Sequence, residues 1–222
     1  MESGSILTWS LTVNMNKYGY IDVFPTRIHK IKLDTKLIPK ITFGEDDYSK
    51  SFDFIDILHN PIFSKLNETV LREASMVCPK HPSIGEWKIV GAWANKQEPE
   101  QDGFKFHSHI NSFMSCVFYV EGEDMSLIVK EEAKEPRQSD STTTCFYDII
   151  VRHNMHPEIT LPVDVGDLLV FPSYQLHKSN TNCTNKNRIS ISYNLLPSKI
   201  KNEDLPWSLN LDIISIATLL VD

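Results

Sequence analysis

The chain has 222 residues, 41% of them apolar and 23% charged, with a formal charge of −7. That composition can close one substantial core, and its acidic balance argues against a protein that works by neutralising phosphates, so nucleic acid is not an expected partner. No stretch reaches the roughly 18 uncharged apolar residues needed to span a bilayer, and the first residues hold no basic run leading into an apolar one. A cytoplasmic protein with no membrane association is the default expectation. Cys78, Cys116, Cys145 and Cys183 form no C-x-x-C pair, which argues against a zinc knuckle or redox dithiol and for buried free thiols.

A single domain with extensions is expected. Residues 1–84 should supply strands and a helix that pack on a barrel, 85–197 the barrel itself, and 198–222 a C-terminal extension. In the first part, Ile6 to Val13, Tyr20 to Phe24 and Ile28 to Leu33 are β-rich. Between Asn60 and Val77 a helix is predicted from the helical spacing of Ile62, Phe63, Leu66, Val70, Leu71 and Ala74, with Asn60-Pro61 as cap and first turn.

From Trp87 the pattern changes to short β-like runs separated by turn residues: EWKIVGAWAN, FKFHSHINSFMSCVFYV, MSLIVK, EITLPV, DLLVF and RISISYNLL. Such a succession predicts a mainly β sandwich or jelly roll with flanking helices. The polar insert between Lys130 and His156 has the composition of a loop that often serves as a lid. The apolar tail LPWSLNLDIISIATLLVD could pack on the body or on a second subunit, which makes a homodimer one expectation.

Three segments carry the chemistry. In FKFHSHI, residues i and i+2 of a strand share a face, so His107 and His109 can converge on one ion while Ser108 points away. Paired histidines on a strand are often only exposed or hydrogen-bonded, so a partner is needed. VDVGDLLVFPSYQLHKSN provides one: a Gly-Asp turn starts an apolar strand that ends at Pro172 and delivers His177 on the next turn. A pair from one strand and a single ligand from a later one occupy one face of an octahedron and leave the other open. In NRISISYNLL, Arg188, Ser190, Ser192 and Asn194 share a face opposite Ile189, Ile191 and Tyr193. A guanidinium inside a barrel calls for an anion, either a bound carboxylate or an internal acid such as Asp167.

Together these segments resemble the 2-oxoglutarate- and Fe(II)-dependent oxygenase family of marine bacteria and their phages, relatives of the prolyl hydroxylases. Its members show a Trp-x-Asn strand, H-x-H-P-like and S-G-x-Y-Y-like stretches, then G-D-L-x-x-F-P-S-x-x-x-H and R-I-S-x-S-F-N. Here they read GAWAN, HSHINSFMSCVFYV, GDLLVFPSYQLH and RISISYN, over about residues 87 to 197, with VFPTRIHKI like the family's F-P-T-P-I beginning. Ile110 stands where proline is usual and Cys116 where glycine is usual. The superfamily's metal motif is His-x-Asp/Glu followed by a distant His, so His109 occupies a carboxylate's position. Either it is a third ligand, or it lies behind the ligands and a carboxylate or water completes the set.

The resemblance implies a double-stranded β-helix, cupin-like in form, that uses Fe(II), 2-oxoglutarate as cosubstrate and O2. His107, His109 and His177 would hold the metal, and Arg188 with Ser190 would grip the cosubstrate's distal carboxylate. The product expected is a hydroxylated peptide side chain or small molecule, with succinate and CO2. Tyr119 shares parity with the histidines if no bulge intervenes. Asn95 and Asn111 could hold imidazoles or cosubstrate, although a strand-end turn explains either equally well. Trp93, Phe106, Phe113, Phe118 and Phe171 are expected in the core, and His29, His59, His81, His153 and His156 in solvent. Two other readings stay open. One is a cupin-type protein, a three-histidine dioxygenase or isomerase without 2-oxoglutarate, for which the carboxylate expected after H-x-H is missing. The other is a catalytically silent metal-binding interaction module.

Overall fold

A computed structural model describes residues 26–41, 43, 57–130, 158–201 and 208–210. The expected strands at 6–13 and 20–24, the insert at 131–156 and the tail after 210 lie outside the described residues, as does Cys145.

The first described strand is β1 (His29–Lys32), which realises the Ile28 to Leu33 run. The helix begins where Asn60 Oδ1 accepts the Ile62 N–H and Pro61 opens a single 3-10 turn, Pro61–Phe63, and continues as α1 (Ser64–Val77). An amide cap and a proline in the first turn satisfy or remove donors that a helix start leaves unpaired. The helix stops at Cys78, extended ahead of Pro79, because proline disfavours helical backbone at the residue before it.

The remaining strands are β2 (Trp87–Gln97), β3 (Met114–Glu121), β4 (Met125–Lys130), β5 (Glu158–Val163), β6 (Asp167–Pro172), β7 (Leu176–Ser179), β8 (Arg188–Pro197), β9 (Lys199–Lys201) and β10 (Ser208–Asn210). They form a five-stranded sheet in the order β1-β6-β3-β8-β2, a three-stranded sheet β5-β4-β7, and the small ribbon β10-β9. Every pairing is antiparallel. The chain passes from the larger sheet to the smaller between β3 and β4, back after β5, across again after β6, and back after β7. This repeated crossing is a double-stranded β-helix, as the family resemblance implies.

Strand alternation separates two cores. Val117, Tyr119, Leu169 and Phe171 of the larger sheet meet Met125, Leu127, Val129 and Val163 of the smaller one. On the other face of the larger sheet, Cys116, Phe118, Leu168, Val170, Ile191, Tyr193 and Leu195 join Phe63, Leu66, Val70 and Ala74 of the helical segment. The protein therefore has three layers, helix on sheet on sheet, with α1 backing the central strands. Cys78 and Cys116 are buried free thiols, whereas Cys183 is free but exposed.

At Gly166, φ is +88° and an added Cβ would come within 3.1 Å of the Leu33 carbonyl. Glycine is needed there, and the turn lets Gly166 N–H donate to Tyr119 O and Gly166 O accept from Leu33 N–H, both at 2.8 Å. Asp167, next along, is buried yet accepts from the Asp164 N–H and pairs with Lys30 at 2.9 Å and Lys32 at 3.1 Å. Burial alone would raise its pKa, but these contacts outweigh it and hold the carboxyl below its ordinary value.

Three expectations are corrected. The run from Phe104 to Phe113 is not continuous with β3; apart from one bridge at His107 it is irregular, because it crosses from one sheet to the other. Phe113 sits on that crossing and is 53% exposed rather than in the core. Ile62 is likewise exposed, being on the outer side of the first turn.

Leu66 is fully buried between α1 and the sheet. Leu66→Ala is expected to lower unfolding stability by about 2–5 kcal/mol, the range for a large-to-small core truncation, read from urea or thermal unfolding followed by circular dichroism.

Candidate metal and anion site

The irregular segment before β3 is held against β7. At Gly103 an added Cβ would lie 1.8 Å from the Ser179 carbonyl oxygen, so only glycine permits this close approach. Four residues on, His107 N–H donates to His177 O at 3.1 Å and His177 N–H donates to His107 O at 3.0 Å. Residues that exchange both bonds in this way lie directly opposite, with side chains on one face. His109 N–H then donates to Ser173 O at 2.9 Å, just beyond the end of β6. The segment thus joins both sheets within three residues.

The three rings converge as a result. Their centroids are 4.4 Å apart for His107 and His177, 5.1 Å for His109 and His177, and 5.4 Å for His107 and His109. One nitrogen from each ring lies within 4.8 Å of the others. The i, i+2 convergence expected of a strand is achieved on an almost strandless segment.

Hydrogen bonds decide which nitrogen faces the cluster. His107 Nδ1 is 2.9 Å from Lys105 O and His177 Nδ1 is 2.8 Å from Gln175 O. A carbonyl only accepts, so each Nδ1 carries the proton and each Nε2 keeps its lone pair for a metal. His109 Nδ1 is 2.6 Å from Asn194 Oδ1, with Ser115 Oγ at 3.1 Å, and Ser115 Oγ lies 2.8 Å from Ser173 Oγ. The same tautomer follows for His109. Burial, with the other two imidazoles adding to it, pushes the pKa of His177 down to about 4, and burial also lowers that of His109. His109 and His177 are therefore held neutral at neutral pH, the state a metal requires.

The cavity wall is laid out by register. Along β8, Asn194 faces Gly91 of β2 and Ser115 of β3; Ser192 faces Trp93 and Val117; Ser190 faces Asn95 and Tyr119; and Arg188 faces Gln97. These rows run from the histidine end to the far end of one cavity of about 710 Å³ that also takes in His107, His109 and His177. That size suits a small ligand with room for a second.

Arg188 closes the far end and is only 4% exposed. Its Nη1 donates to Asn180 O (2.9 Å), Asn180 Oδ1 (2.8 Å) and Gln97 Oε1 (3.3 Å), and its Nη2 to the carbonyls of Glu123 (3.3 Å) and Asp124 (3.1 Å). Its Nε is buried without a partner among the described residues. All the acceptors are neutral, and no described carboxylate lies within 4 Å. Asp167, the alternative internal counterion, is engaged by Lys30 and Lys32 instead. Burial presses the guanidinium pKa down, but arginine stays charged. The donor set therefore fits a three-imidazole metal centre, and the orphaned guanidinium fits a carboxylate.

Ser190 and Tyr119 line the cavity, with neither hydroxyl hydrogen-bonded among the described residues, and burial raises the Tyr119 pKa. The bulge in β3 falls after Tyr119, between it and Glu121, so the inward parity survives to that point. Asn95 also lines the cavity, its Nδ2 donating to Ser192 Oγ at 3.0 Å. Asn111 does not: it is exposed on the turn after His109. Trp93, expected in the core, is instead a cavity wall, its ring 5.4 Å from that of His109. Gln97, Asn194, Ser115, Phe104 and Lys105 were not legible as site residues. The parity of Trp93, Asn95 and Gln97 held the signal for two of the wall residues; Lys105 and Phe104, on irregular backbone, had none.

Residues 91–194 match the family model described as "Putative 2OG-Fe(II) oxygenase". No curated protein matches the sequence. Among solved structures, HygX from Streptomyces hygroscopicus with nickel and 2-oxoglutarate bound is similar at 10% identity and a TM-score of 0.47, over 78% of this chain and 84% of that one. The non-heme alpha ketoglutarate dependent epimerase SnoN from nogalamycin biosynthesis is similar at 12% identity and 0.46, over 70% and 65%. The carbocyclase SnoK of the same biosynthesis is similar at 14% and 0.41, over 60% of this chain, which spans 55% of SnoK's length. The order and chemistry of the motifs and their assembly in one cavity agree with this match: residues 91–194 are similar to the 2OG-Fe(II) oxygenase family.

Proposed function

We propose that this protein is a 2-oxoglutarate- and Fe(II)-dependent dioxygenase that hydroxylates a small molecule or a peptide side chain. The observation that carries the reading is the buried Arg188, without a described acidic partner, in the same cavity as three imidazoles whose Nε2 atoms are free. A charge that far from water needs an anion, and a planar fork suits a carboxylate. Among ligands a metal cavity could share with such a fork, a dicarboxylate satisfies both ends.

In this reading His107, His109 and His177 hold the ion through Nε2. Lys105 O, Gln175 O and Asn194 Oδ1 fix the ring orientations from behind. Arg188 Nε and the Ser190 and Tyr119 hydroxyls bind the distal carboxylate, while Asn180 and Gln97 keep the guanidinium from swinging away. Val117, Leu127 and Trp93 exclude water between the two ends. Bound Fe(II), with 2-oxoglutarate and O2, supplies the oxidation, one oxygen atom ending in succinate beside CO2 and the other in the hydroxylated product.

A second reading draws on the ligand set itself. Three neutral imidazoles without a carboxylate are also what a three-histidine dioxygenase of the cupin type would use. That reading leaves Arg188 unexplained.

Anaerobic titration of the Fe(II) protein with 2-oxoglutarate is expected to produce a visible metal-to-ligand charge-transfer band. Arg188→Ala should weaken the response by about 30-fold or more, the loss typical of truncating a buried charge partner, while iron content is retained. A wild-type protein that binds iron but gives no band would rule out the 2-oxoglutarate reading and favour the cupin type.

Metal analysis after dialysis tests the ligands. His107→Ala and His177→Ala should each lose most of the iron. Asn194→Ala should weaken metal binding by roughly 10–100-fold through His109, in line with the effect of removing a partner behind a ligand. If His109→Ala keeps its full iron content, His109 is not a ligand.

A further inference from the structure

The chain is acidic overall, yet among the described residues no aspartate or glutamate lines the cavity. Among the described residues its formally charged side chains are Arg188 at the far end and Lys105, which is exposed beside His107. Lys105 forms no hydrogen bond or ion pair with another described side chain, and Trp93 contributes an indole N–H that is likewise without a partner among the described residues. The atoms that orient the three imidazoles are two carbonyls and an amide oxygen, all neutral. Asp102, three residues before Lys105, does not line this cavity but a neighbouring one that Lys105 and Phe104 also border, where its carboxylate accepts from Thr181 Oγ1 at 3.2 Å.

From this distribution we propose that the substrate admitted beside the cosubstrate is an anion with an apolar body: its carboxylate or equivalent group pairs with Lys105, and the body lies between Trp93 and Phe104. The inference rests on the 2-oxoglutarate reading given above. A divalent ion held by neutral imidazoles keeps both its charges; a dicarboxylate offsets them and leaves the guanidinium in excess. The cavity stays positive when loaded, and Lys105 adds to that at the mouth. A cationic substrate would enter against this field, whereas an anion is drawn in. Trp93 and Phe104 flank the metal end, their rings 5.4 Å from His109 and 6.2 Å from His107, and present the flat apolar surfaces on which a ring or hydrocarbon body can lie.

The test uses the full chain loaded with Zn(II) in saturating 2-oxoglutarate, with 3-phenylpropionate and 3-phenylpropylamine as matched probes, followed by saturation-transfer NMR. The carboxylate is expected to bind about fivefold more tightly than the amine, as befits one partly exposed ion pair. Lys105→Glu should reverse that order; the substitution leaves the backbone carbonyl that holds His107 in place. Equal affinities, an amine preference, a carboxylate preference unchanged in Lys105→Glu, or no binding of either probe would each overturn the proposal. The charge-transfer titration separates its failure from that of the reading beneath it. Should that band be absent, the probes are compared on the metal-loaded protein without 2-oxoglutarate, and the same outcomes decide.

Discussion

The reciprocal pair of backbone hydrogen bonds between His107 and His177 is the constraint on which the proposed site depends. Residue 107 belongs to no strand of the smaller sheet, and without this bridge nothing would hold its side chain opposite that of residue 177. The bridge does two things at once. It sets both imidazoles on the inner face, and it ties the irregular crossing to β7, so that His109 arrives within reach of Ser173 and Asn194. Gly103 is part of the same constraint, since any side chain there would meet the Ser179 carbonyl and lift the crossing off the strand.

At the other end of the cavity the constraint is electrostatic. Desolvating a guanidinium costs several kcal/mol unless its surroundings repay it. Five neutral acceptors do part of that here and immobilise the group, but none brings an opposing charge. The arrangement is still unbalanced, which favours the proposed carboxylate there over a structural ion pair. Asp167 shows the contrast within the same protein. It too is buried, but two lysines meet it directly, and its charge is consumed in fastening β1 to β6.

Most of the fold was legible because period-two alternation is strong in β8 and β6 is a continuous apolar run opened by a Gly-Asp turn. Arg188, Ser190, Ser192 and Asn194 separate cleanly from Ile189, Ile191 and Tyr193, and the helix start at Asn60-Pro61 is written in residues that cap in only one way. What escaped notice did so for identifiable reasons. Phe104 to Phe113 is rich in β-forming aromatics, yet it is a crossover, and local composition does not report which sheet a segment must reach. Trp93 reads as core because an aromatic in a strand usually is; its place in the site follows only from sharing parity with Asn95. Asn194 sat on the correct face, but its partner His109 is 85 residues away, a pairing that no local pattern encodes.

The two faces of β8 explain why so polar a row can be held accurately in a small protein. Its inner residues, Arg188, Ser190 and Ser192, line the cavity, and its outer ones, Ile191, Tyr193 and Leu195, are fully buried against the helix layer. A slip of one residue would exchange the two sets, driving the guanidinium into the apolar core and the aliphatic side chains into the cavity. Such a slip would bury a charge without acceptors and strand apolar surface at once, so hydrophobic burial behind the strand fixes the register of the polar groups in front of it. The precision of the proposed site thus comes from the side of the sheet that takes no part in the chemistry.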